Sequence, residues 1–337
     1  MNGELSHGLP ELVTSANRIL RVDTMNPALL RGVNRSGLEY SEPSLAGFLE
    51  PAQLTKEEIS EIVNGWHANI IRLPFNQDWC LAGRSGHSAE EYLASLDQVI
   101  SWAAALGAYT ILDLQWLDAD TPYGSIEDET HVKRTNHVPP TPNDKTIILW
   151  RTLAGRYQSE PAVLFDILNE PHDPLSDDDH PVYLIGTGAQ VIASEDRFFR
   201  ADEWVRWATL LTAEIRKARF NGLLLVGGVD WAFDLSRIRV DAANVVYSAH
   251  IYSNRNQDNW SKALGCCNEV PVFIGEWGGR DEDLEFGRTL AAEIRQRGLG
   301  WTAWSWVDAP QLVVPPRAPN YDATPFGALV RSELSVR

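Results

Sequence analysis

Two glutamates stand at the ends of apolar stretches of this sequence. Glu170 follows the apolar part of "VLFDILNEPH" (163–172), and Glu276 lies near the end of "VPVFIGEW" (270–277). An ionised side chain at the tip of a buried strand costs free energy, so a carboxylate there indicates that something else requires it. If the two strand ends face each other, the carboxyl groups of Glu170 and Glu276 can together cleave a glycosidic bond. The protonated carboxyl group donates to the leaving oxygen, and the ionised one attacks the anomeric carbon.

Further polar and aromatic residues occupy the ends of other predicted strands. They are Arg72, Asp113, Gln115, Asn169, His250, Tyr252, Trp304 and Trp306. Each has a structural explanation when taken alone, but their shared placement favours a site. We expect the cation Arg72, or a hydrogen bond from Tyr252, to keep Glu276 ionised. We expect a second nearby anion to raise the pKa of Glu170, and His250 to orient either carboxyl group.

The elements that must position these residues are eight short apolar runs separated by amphipathic ones. The predicted strands are 29–34, 69–74, 109–115, 162–170, 222–228, 244–252, 270–277 and 300–306. Alternating strands and helices are typical of a parallel sheet, and eight repeats in this length predict an α/β fold, the (β/α)8 or TIM barrel. No Pro/Gly/Ser-rich linker interrupts the series, so we predict a single domain over 1–337. Within it the barrel spans about 29–335, and a short N-terminal hairpin at about 12–28 closes its bottom.

Several helices have readable boundaries. Thr55 with Glu58, and Ser88 with Glu91, have the spacing of capping boxes. Gly107 is placed to end the second of these helices. Further helices are predicted at 144–159, 200–219, 282–298 and about 325–335, with weaker ones after the fifth and sixth strands.

Composition excludes some classes of partner. The net charge is -17 over 337 residues, whereas binding to nucleic acid or an anionic membrane requires a basic surface. We therefore predict no nucleic-acid or membrane partner. The three cysteines, Cys80, Cys266 and Cys267, fit neither a paired disulfide framework nor a zinc site, and we interpret them as thiols without a catalytic role.

The compartment is left open by the N-terminus. The stretch "MNGELSHGLPELV" has no basic region and no apolar core of a signal peptide, and no apolar run reaches about 18 residues. We expect either a secreted or periplasmic protein whose signal is absent from this chain, or a cytoplasmic one that acts on imported oligosaccharides.

The tryptophan content points to a carbohydrate ligand. The chain has 13 tryptophans, and several fall near predicted strand ends. Their faces can stack on pyranose rings, although about half are expected to fill the core. Two long connections, 117–143 and 172–199, are predicted to wall a cleft. The acidic stretch "SDDDHP" (176–181) lacks the spaced ligands of a calcium loop, and neither a metal nor a cofactor is predicted.

Taken together, six motifs in this order resemble glycoside hydrolase family 5, which contains many cellulases. They are "LRGVNRSGLE", "NIIRLPF", "LNEP", "SAHIY", "FIGEWG" and "WTAWSW", and the resemblance runs from about residue 17 to 330. It implies a retaining (β/α)8 enzyme with Glu170 as acid/base and Glu276 as nucleophile. It also implies Asn169 as a donor to the sugar 2-hydroxyl and Tyr252 as a partner of the nucleophile. Three further roles are implied: Arg72 supports the nucleophile, His250 lines the cleavage subsite, and Trp304 is the stacking platform, with Trp306 as its competitor.

One position departs from the family pattern. The motif "LDLQW" places Gln115 where the family commonly has a histidine. Glutamine can hydrogen-bond a sugar hydroxyl but cannot carry a proton, so contacts at the cleavage subsite and the pH profile are expected to differ from those of relatives.

The predicted function is a retaining endo-β-1,4-glucanase whose substrate is a β-glucan or a related oligosaccharide. The two carboxyl groups should then lie about 5–5.5 Å apart. A β-mannanase and an exo-acting β-glycosidase on short oligosaccharides are the alternatives, and a non-catalytic carbohydrate-binding barrel is a remote one. A sugar-phosphate enzyme is disfavoured because the acidic run after Arg280 would repel phosphate.

Overall fold

The computed structural model describes residues 8–117, 142–171 and 201–336. It also describes the backbone of four short strands between these ranges. The predicted cleft-wall connections and the acidic stretch 176–181 therefore lie largely outside the described residues.

Eight parallel strands close into a barrel, which confirms the predicted fold. The strands, in chain order, are β1 (Leu12–Ser15), β2 (Arg18–Arg21), β3 (Arg31–Asn34), β4 (Ile70–Asn76), β5 (Tyr109–Trp116), β6 (Ser125–Glu127), β7 (Lys133–Thr135), β8 (Val163–Asp166), β9 (Tyr183–Ile185), β10 (Gly188–Gln190), β11 (Leu224–Gly227), β12 (Val245–Tyr252), β13 (Val272–Gly278) and β14 (Gly300–Ala303). The barrel order is β3-β4-β5-β8-β11-β12-β13-β14, and β14 pairs with β3 to close it. The predicted hairpin is β1 paired antiparallel with β2.

Helices separate most of the barrel strands. They are α1 (Lys56–Ser60), α2 (Gln77–Ala82), α3 (Ala89–Ala105), α4 (Asp144–Arg156), α5 (Ala201–Lys217), α6 (Val229–Ala232), α7 (Ser261–Leu264), α8 (Leu284–Arg297) and α9 (Pro325–Ser335). A π-helical turn at Glu61–Gly65 continues α1, and single 3-10 turns form at Gln257–Asn259 and Asp281–Asp283. The weak helices predicted after the fifth and sixth strands are single turns, α6 and α7.

One of the two predicted capping boxes forms completely. Ser88 accepts a hydrogen bond from the backbone of Glu91, whose carboxylate accepts from the backbone of Ser88 in return. At α1 only half of the box forms: Thr55 accepts from the Glu58 backbone, but the Glu58 carboxylate accepts from Arg35 Nε at 2.6 Å instead. A buried cation therefore outcompetes the cap for this side chain.

Strand alternation divides the barrel interior into two layers. Residues such as Ile70, Ile111 and Leu164 form an apolar cluster in the lower layer, which Leu12 of the N-terminal hairpin covers. Two residues further along the same three strands stand Arg72, Asp113 and Asp166, all fully or almost fully buried. Because side chains of a strand alternate between its faces, these polar groups also point inward. The upper layer is thus polar and lies directly beneath the mouth of the barrel.

Candidate active site

The carboxylate of Glu276 is held by two donors. Glu276 lies within β13 and is 4% exposed. Arg72 Nη1 donates to its Oε1 at 2.8 Å, and the Tyr252 hydroxyl donates to its Oε2 at 2.6 Å. Burial raises the pKa of Tyr252 well above its usual range, so the phenol keeps its proton and remains a donor. These are the two contacts that the sequence analysis expected at Glu276, and their effect on its charge stays a prediction.

Arg72 joins Glu276 to the polar layer beneath it. Burial alone would lower the pKa of this guanidinium, but the surrounding carboxylates raise it overall, so the group stays charged. Its donors also reach Asn34 Oδ1 at 2.9 Å, Asp166 Oδ2 at 3.0 Å and Asn169 Oδ1 at 2.9 Å, and its Nη2 lies 2.8 Å from Asp113 Oδ1. A planar guanidinium held on several sides has a fixed orientation toward Glu276.

Glu170 occupies a different environment, just beyond the end of β8. Its φ is 45°, in the left-handed region, and its side chain is 15% exposed. Its Oε1 lies 2.9 Å from His250 Nδ1. Burial raises the pKa of Glu170 to about 7, against an opposing effect of Arg72 and Arg255. The expectation that a second anion raises this pKa is wrong, because the cause is the removal of the carboxyl group from water.

His250 lies between the two carboxyl groups and is uncharged. Burial lowers the pKa of the imidazole to about 3 although the Glu276 carboxylate opposes this. The Nδ1 atom that contacts Glu170 also lies 3.6 Å from Glu276 Oε2. A neutral ring at this place links the two groups without adding a positive charge that would favour ionisation of Glu170.

The spacing of the two carboxyl groups fits retention of configuration. One oxygen of Glu170, one of Glu276 and a ring nitrogen of His250 all lie within 4.8 Å of one another. Retaining glycosidases separate the two carboxyl groups by about 5–5.5 Å, whereas inverting ones need about 6.5–9.5 Å to admit a water. Within the described ranges, this trio is also the set of His and acidic groups close enough to hold a metal. Glu170 already hydrogen-bonds His250, and Glu276 already accepts from Arg72 and Tyr252, so these groups have partners other than an ion.

Two amide side chains, Asn169 and Gln115, belong to the predicted sugar-binding residues. The Asn169 carbonyl is engaged by Arg72 at 2.9 Å, which leaves the NH2 group as the part of the amide that can donate to a ligand. The Gln115 carbonyl oxygen is buried and accepts no hydrogen bond within the described residues. The binding of sugar hydroxyls by these two amides stays a prediction.

The two tryptophans after β14 behave differently. Trp304 is partly exposed, so its ring is accessible to a ligand. Trp306 is fully buried, packs edge-on against Trp66 with centroids 4.7 Å apart and donates from Nε1 to Glu58 at 3.0 Å. The prediction that Trp306 competes as a sugar platform is therefore wrong. Because β14 ends at Ala303, strand alternation does not decide where Trp306 points.

Two residues that hold the site were absent from the predicted set. Asn34 accepts from Arg72 and donates from Nδ2 at 3.0 Å to the carbonyl of Gly275, which directly precedes Glu276 in β13. Asp166 accepts from Arg72 Nε. Both stand at inward positions of barrel strands, and counting alternate residues back from the strand ends could have found them.

The geometry first defines a class of enzyme. A (β/α)8 barrel presents, from its fourth and seventh strands, one carboxyl group whose pKa is raised by burial and one that accepts hydrogen bonds from arginine and tyrosine, and glycosidases use two carboxyl groups in such unequal settings. Comparison of the sequence with family models then gives the family. The model of the cellulase family, glycosyl hydrolase family 5, matches residues 26–310. The chain belongs to this family.

Named relatives agree with the assignment. The chain is 22% identical over 302 residues to endoglucanase E-5 of Thermobifida fusca, covering 84% of this chain and 53% of the relative. It is 23% identical over 301 residues to cellulase CelDZ1 of a Thermoanaerobacterium species, covering 83% and 66%. The chain thus spans about half to two thirds of the length of these curated relatives.

Solved structures share the fold. The β-glucanase SdGluc5_26A of Saccharophagus degradans, solved in complex with cellotetraose, superposes with a TM-score of 0.72 at 21% identity, covering 99% of this chain and 96% of that one. The catalytic domain of the Thermobifida fusca endoglucanase gives a TM-score of 0.71 at 19% identity, covering 99% and 100%.

In the part of the chain that the structure describes, no helix is long and apolar enough to cross a membrane.

Proposed function

We propose that this protein is a retaining endo-β-1,4-glucanase. The observation that carries the proposal is the unequal setting of two carboxyl groups that bring one oxygen each within 4.8 Å: Arg72 and Tyr252 donate to the two oxygens of Glu276, while burial raises the pKa of Glu170 to about 7. Two carboxyl groups this close, in unequal settings, support double displacement.

In the first step, Glu276 attacks the anomeric carbon while Glu170 donates its proton to the departing glycosidic oxygen. The bond from the anomeric carbon to that oxygen breaks, and a glycosyl ester forms on Glu276. In the second step, Glu170, now ionised, removes a proton from water. The water oxygen attacks the anomeric carbon and releases Glu276 as a carboxylate, so both groups return to their starting states. Asn169 donates to the sugar 2-hydroxyl throughout, and Trp304 stacks beside the cleavage point.

The substrate class follows from the family and its named relatives. Family membership supports a carbohydrate substrate, and the similar endoglucanases and a neighbour solved with cellotetraose support a β-1,4-glucan. A neutral polymer also suits a chain of net charge -17, which would not repel it. Such a polymer would be met outside the cytoplasm, which favours the secreted or periplasmic alternative.

Product analysis of the purified protein tests the proposal. The substrates are carboxymethylcellulose, mixed-linkage glucan, mannan and their short oligosaccharides, and the control is Glu276→Gln, which conserves shape and removes the charge. Glucan oligomers of mixed length that vanish in the control would support the endo-glucanase. Release from mannan alone would move the substrate to mannan, and release from short oligosaccharides alone would indicate an exo-acting glycosidase. Sugar binding without turnover would overturn the enzymatic proposal.

A further inference from the structure

Two buried aspartates lie beneath the nucleophile position. Asp113 on β5 and Asp166 on β8 are paired in register on neighbouring parallel strands. They are 0% and 1% exposed. In-register side chains on the same face of adjacent strands stand about 4.8 Å apart at their backbones, so these two carboxyl groups are immediate neighbours inside the barrel.

Most of their oxygens lack a hydrogen-bond donor. Both oxygens of Asp113 and Oδ1 of Asp166 accept no hydrogen bond from any described residue. Arg72 Nη2 lies 2.8 Å from Asp113 Oδ1, but none of its N–H groups is aligned with that oxygen. Asp166 Oδ2, by contrast, accepts from Arg72 Nε at 3.0 Å. A buried, ionised carboxylate without donors carries the full cost of lost hydration.

The charges around these aspartates do not balance. Arg72 is the one cation, among the described residues, within ion-pair distance of Asp113, Asp166 and Glu276. Three ionised carboxylates around one guanidinium would leave a net charge of -2 in a buried cluster, and like charges at this range cannot all ionise.

Neighbouring groups add no compensating positive charge. His250 is neutral at this site, because burial lowers the pKa of its ring to about 3. Burial raises the pKa of Glu39, on the loop after β3, to about 8 and that of Glu170 to about 7. Tyr252 remains a neutral phenol.

We propose that Asp113 and Asp166 share a single proton and act as a positioning pair for Arg72. The O–H carried by Asp113 is donated to Asp166 Oδ1, which satisfies oxygens that otherwise lack a partner. Asp166 keeps the negative charge and its hydrogen bond from Arg72 Nε, while Arg72 Nη1 remains directed at Glu276. Burial raises the pKa of both aspartates, in agreement with a retained proton.

The shared proton has a consequence for the nucleophile. A second full negative charge in this layer would disfavour the ionised form of Glu276, which the proposed attack requires. With one proton in the pair, Arg72 faces two carboxylate charges instead of three. This consequence rests on the proposed function, whereas the protonation of the pair does not.

The direct test is 13C NMR of protein labelled at the aspartate carboxyl carbons. At neutral pH we expect carboxyl signal from a protonated pair in the unaltered enzyme, and we expect both Asp113→Asn and Asp166→Asn to remove it. If the 13C shifts of all aspartate carboxyl carbons at neutral pH are those of ionised carboxylates, the proposal is overturned. Because this readout needs no turnover, it remains decisive even if the protein does not cleave glucan.

The pH dependence of kcat/KM gives a second, independent readout. Asp113→Asn replaces a protonated group with a neutral one whose NH2 can still donate to Asp166. The midpoint of the acidic limb should therefore stay within about half a pH unit. Asp166→Asn removes the charge of the pair and a partner of Arg72, and should displace that limb. A displacement of a full unit in Asp113→Asn would show that Asp113 is ionised and would overturn the shared proton.

Discussion

The ends of β8 and β13 carry the same residue type in opposite electrostatic settings. Glu276 lies inside β13, where Arg72 and Tyr252 donate to its two oxygens at 2.8 and 2.6 Å. Glu170 lies four residues beyond the end of β8, at a φ of 45°, and contacts a neutral histidine at 2.9 Å. Both positions are largely buried, but only that of Glu276 supplies a hydrogen-bonded cation and a hydroxyl donor that offset the loss of water.

The proposed mechanism needs one side-chain type in two roles, and this difference in setting suits them. A nucleophile must be ionised before the reaction, so it needs groups that favour its charge. A general acid must arrive with its proton, so it needs surroundings that disfavour charge. In the proposed mechanism the partners at each strand end determine which glutamate takes which role, so removing those partners should erase the distinction.

The largest effect should come from Glu276→Gln. The amide keeps the shape but cannot form the glycosyl ester, so we expect kcat/KM on a β-1,4-glucan to fall by at least about 10⁴-fold. An activated aryl glucoside should not restore it, because a better leaving group does not replace the nucleophile. Steady-state kinetics on both substrates measure this, and activity above that level would place the nucleophile elsewhere.

Glu170→Gln, unlike Glu276→Gln, should lose activity to an extent that depends on the leaving group of the substrate. On unactivated glucan, loss of the acid should cost about 10²- to 10⁴-fold. On an aryl glycoside whose leaving group needs no proton, the first step should survive, and a burst of phenol followed by slow turnover is expected in stopped-flow measurements. Equal losses on both substrates would contradict the division of roles.

Strand alternation made the barrel and much of its site predictable from sequence. The strand candidates coincide with the observed strands to within a few residues at most ends, and inward positions such as Arg72 and His250 follow from counting alternate residues. These features depend on local periodicity, which one sequence displays.

The incorrect predictions concern side chains whose environment is set by residues far away in the sequence. Glu58 leaves its predicted cap for Arg35, which is 23 positions away, and it also accepts from Trp306, which is 248 positions away. The cause of the Glu170 pKa shift is burial by the assembled barrel, which no local pattern encodes. Tertiary competition of this kind becomes visible only when the strands are brought together.

Tyr252→Phe should weaken the β13 end alone. It removes the 2.6 Å hydrogen bond to Glu276, and a bond to a charged group contributes about 1.5–3 kcal/mol, so activity should fall about 10- to 100-fold. The matched control is Tyr247→Phe on the same strand, whose hydroxyl bonds the Val240 backbone at 2.9 Å, away from the site. An equal loss in both variants would indicate general damage to the strand.

The β8 end should set the alkaline limb of the pH profile. Glu170 must be protonated to act, and its pKa is raised to about 7 by burial, so kcat/KM on glucan should decline as pH rises through about 7. In Glu170→Gln assayed on the aryl glycoside that decline should disappear. If the limb persists there, another group produces it.

The smallest effect, on stability, distinguishes the two ends without any substrate. Between its ordinary pKa of 4.5 and about 7, folded Glu170 holds a proton that the unfolded chain has lost, so its contribution to stability declines as pH rises through that window. Glu170→Gln removes this dependence. The difference in free energy of unfolding, variant minus parent, should therefore be about 1–3 kcal/mol more favourable above the window than below it. Glu276→Gln should instead destabilise at neutral pH, because Arg72 loses a charged acceptor in a buried site. Urea unfolding of the three proteins on both sides of the window measures this, and parallel curves for the two variants would mean that the β8 and β13 ends are electrostatically alike.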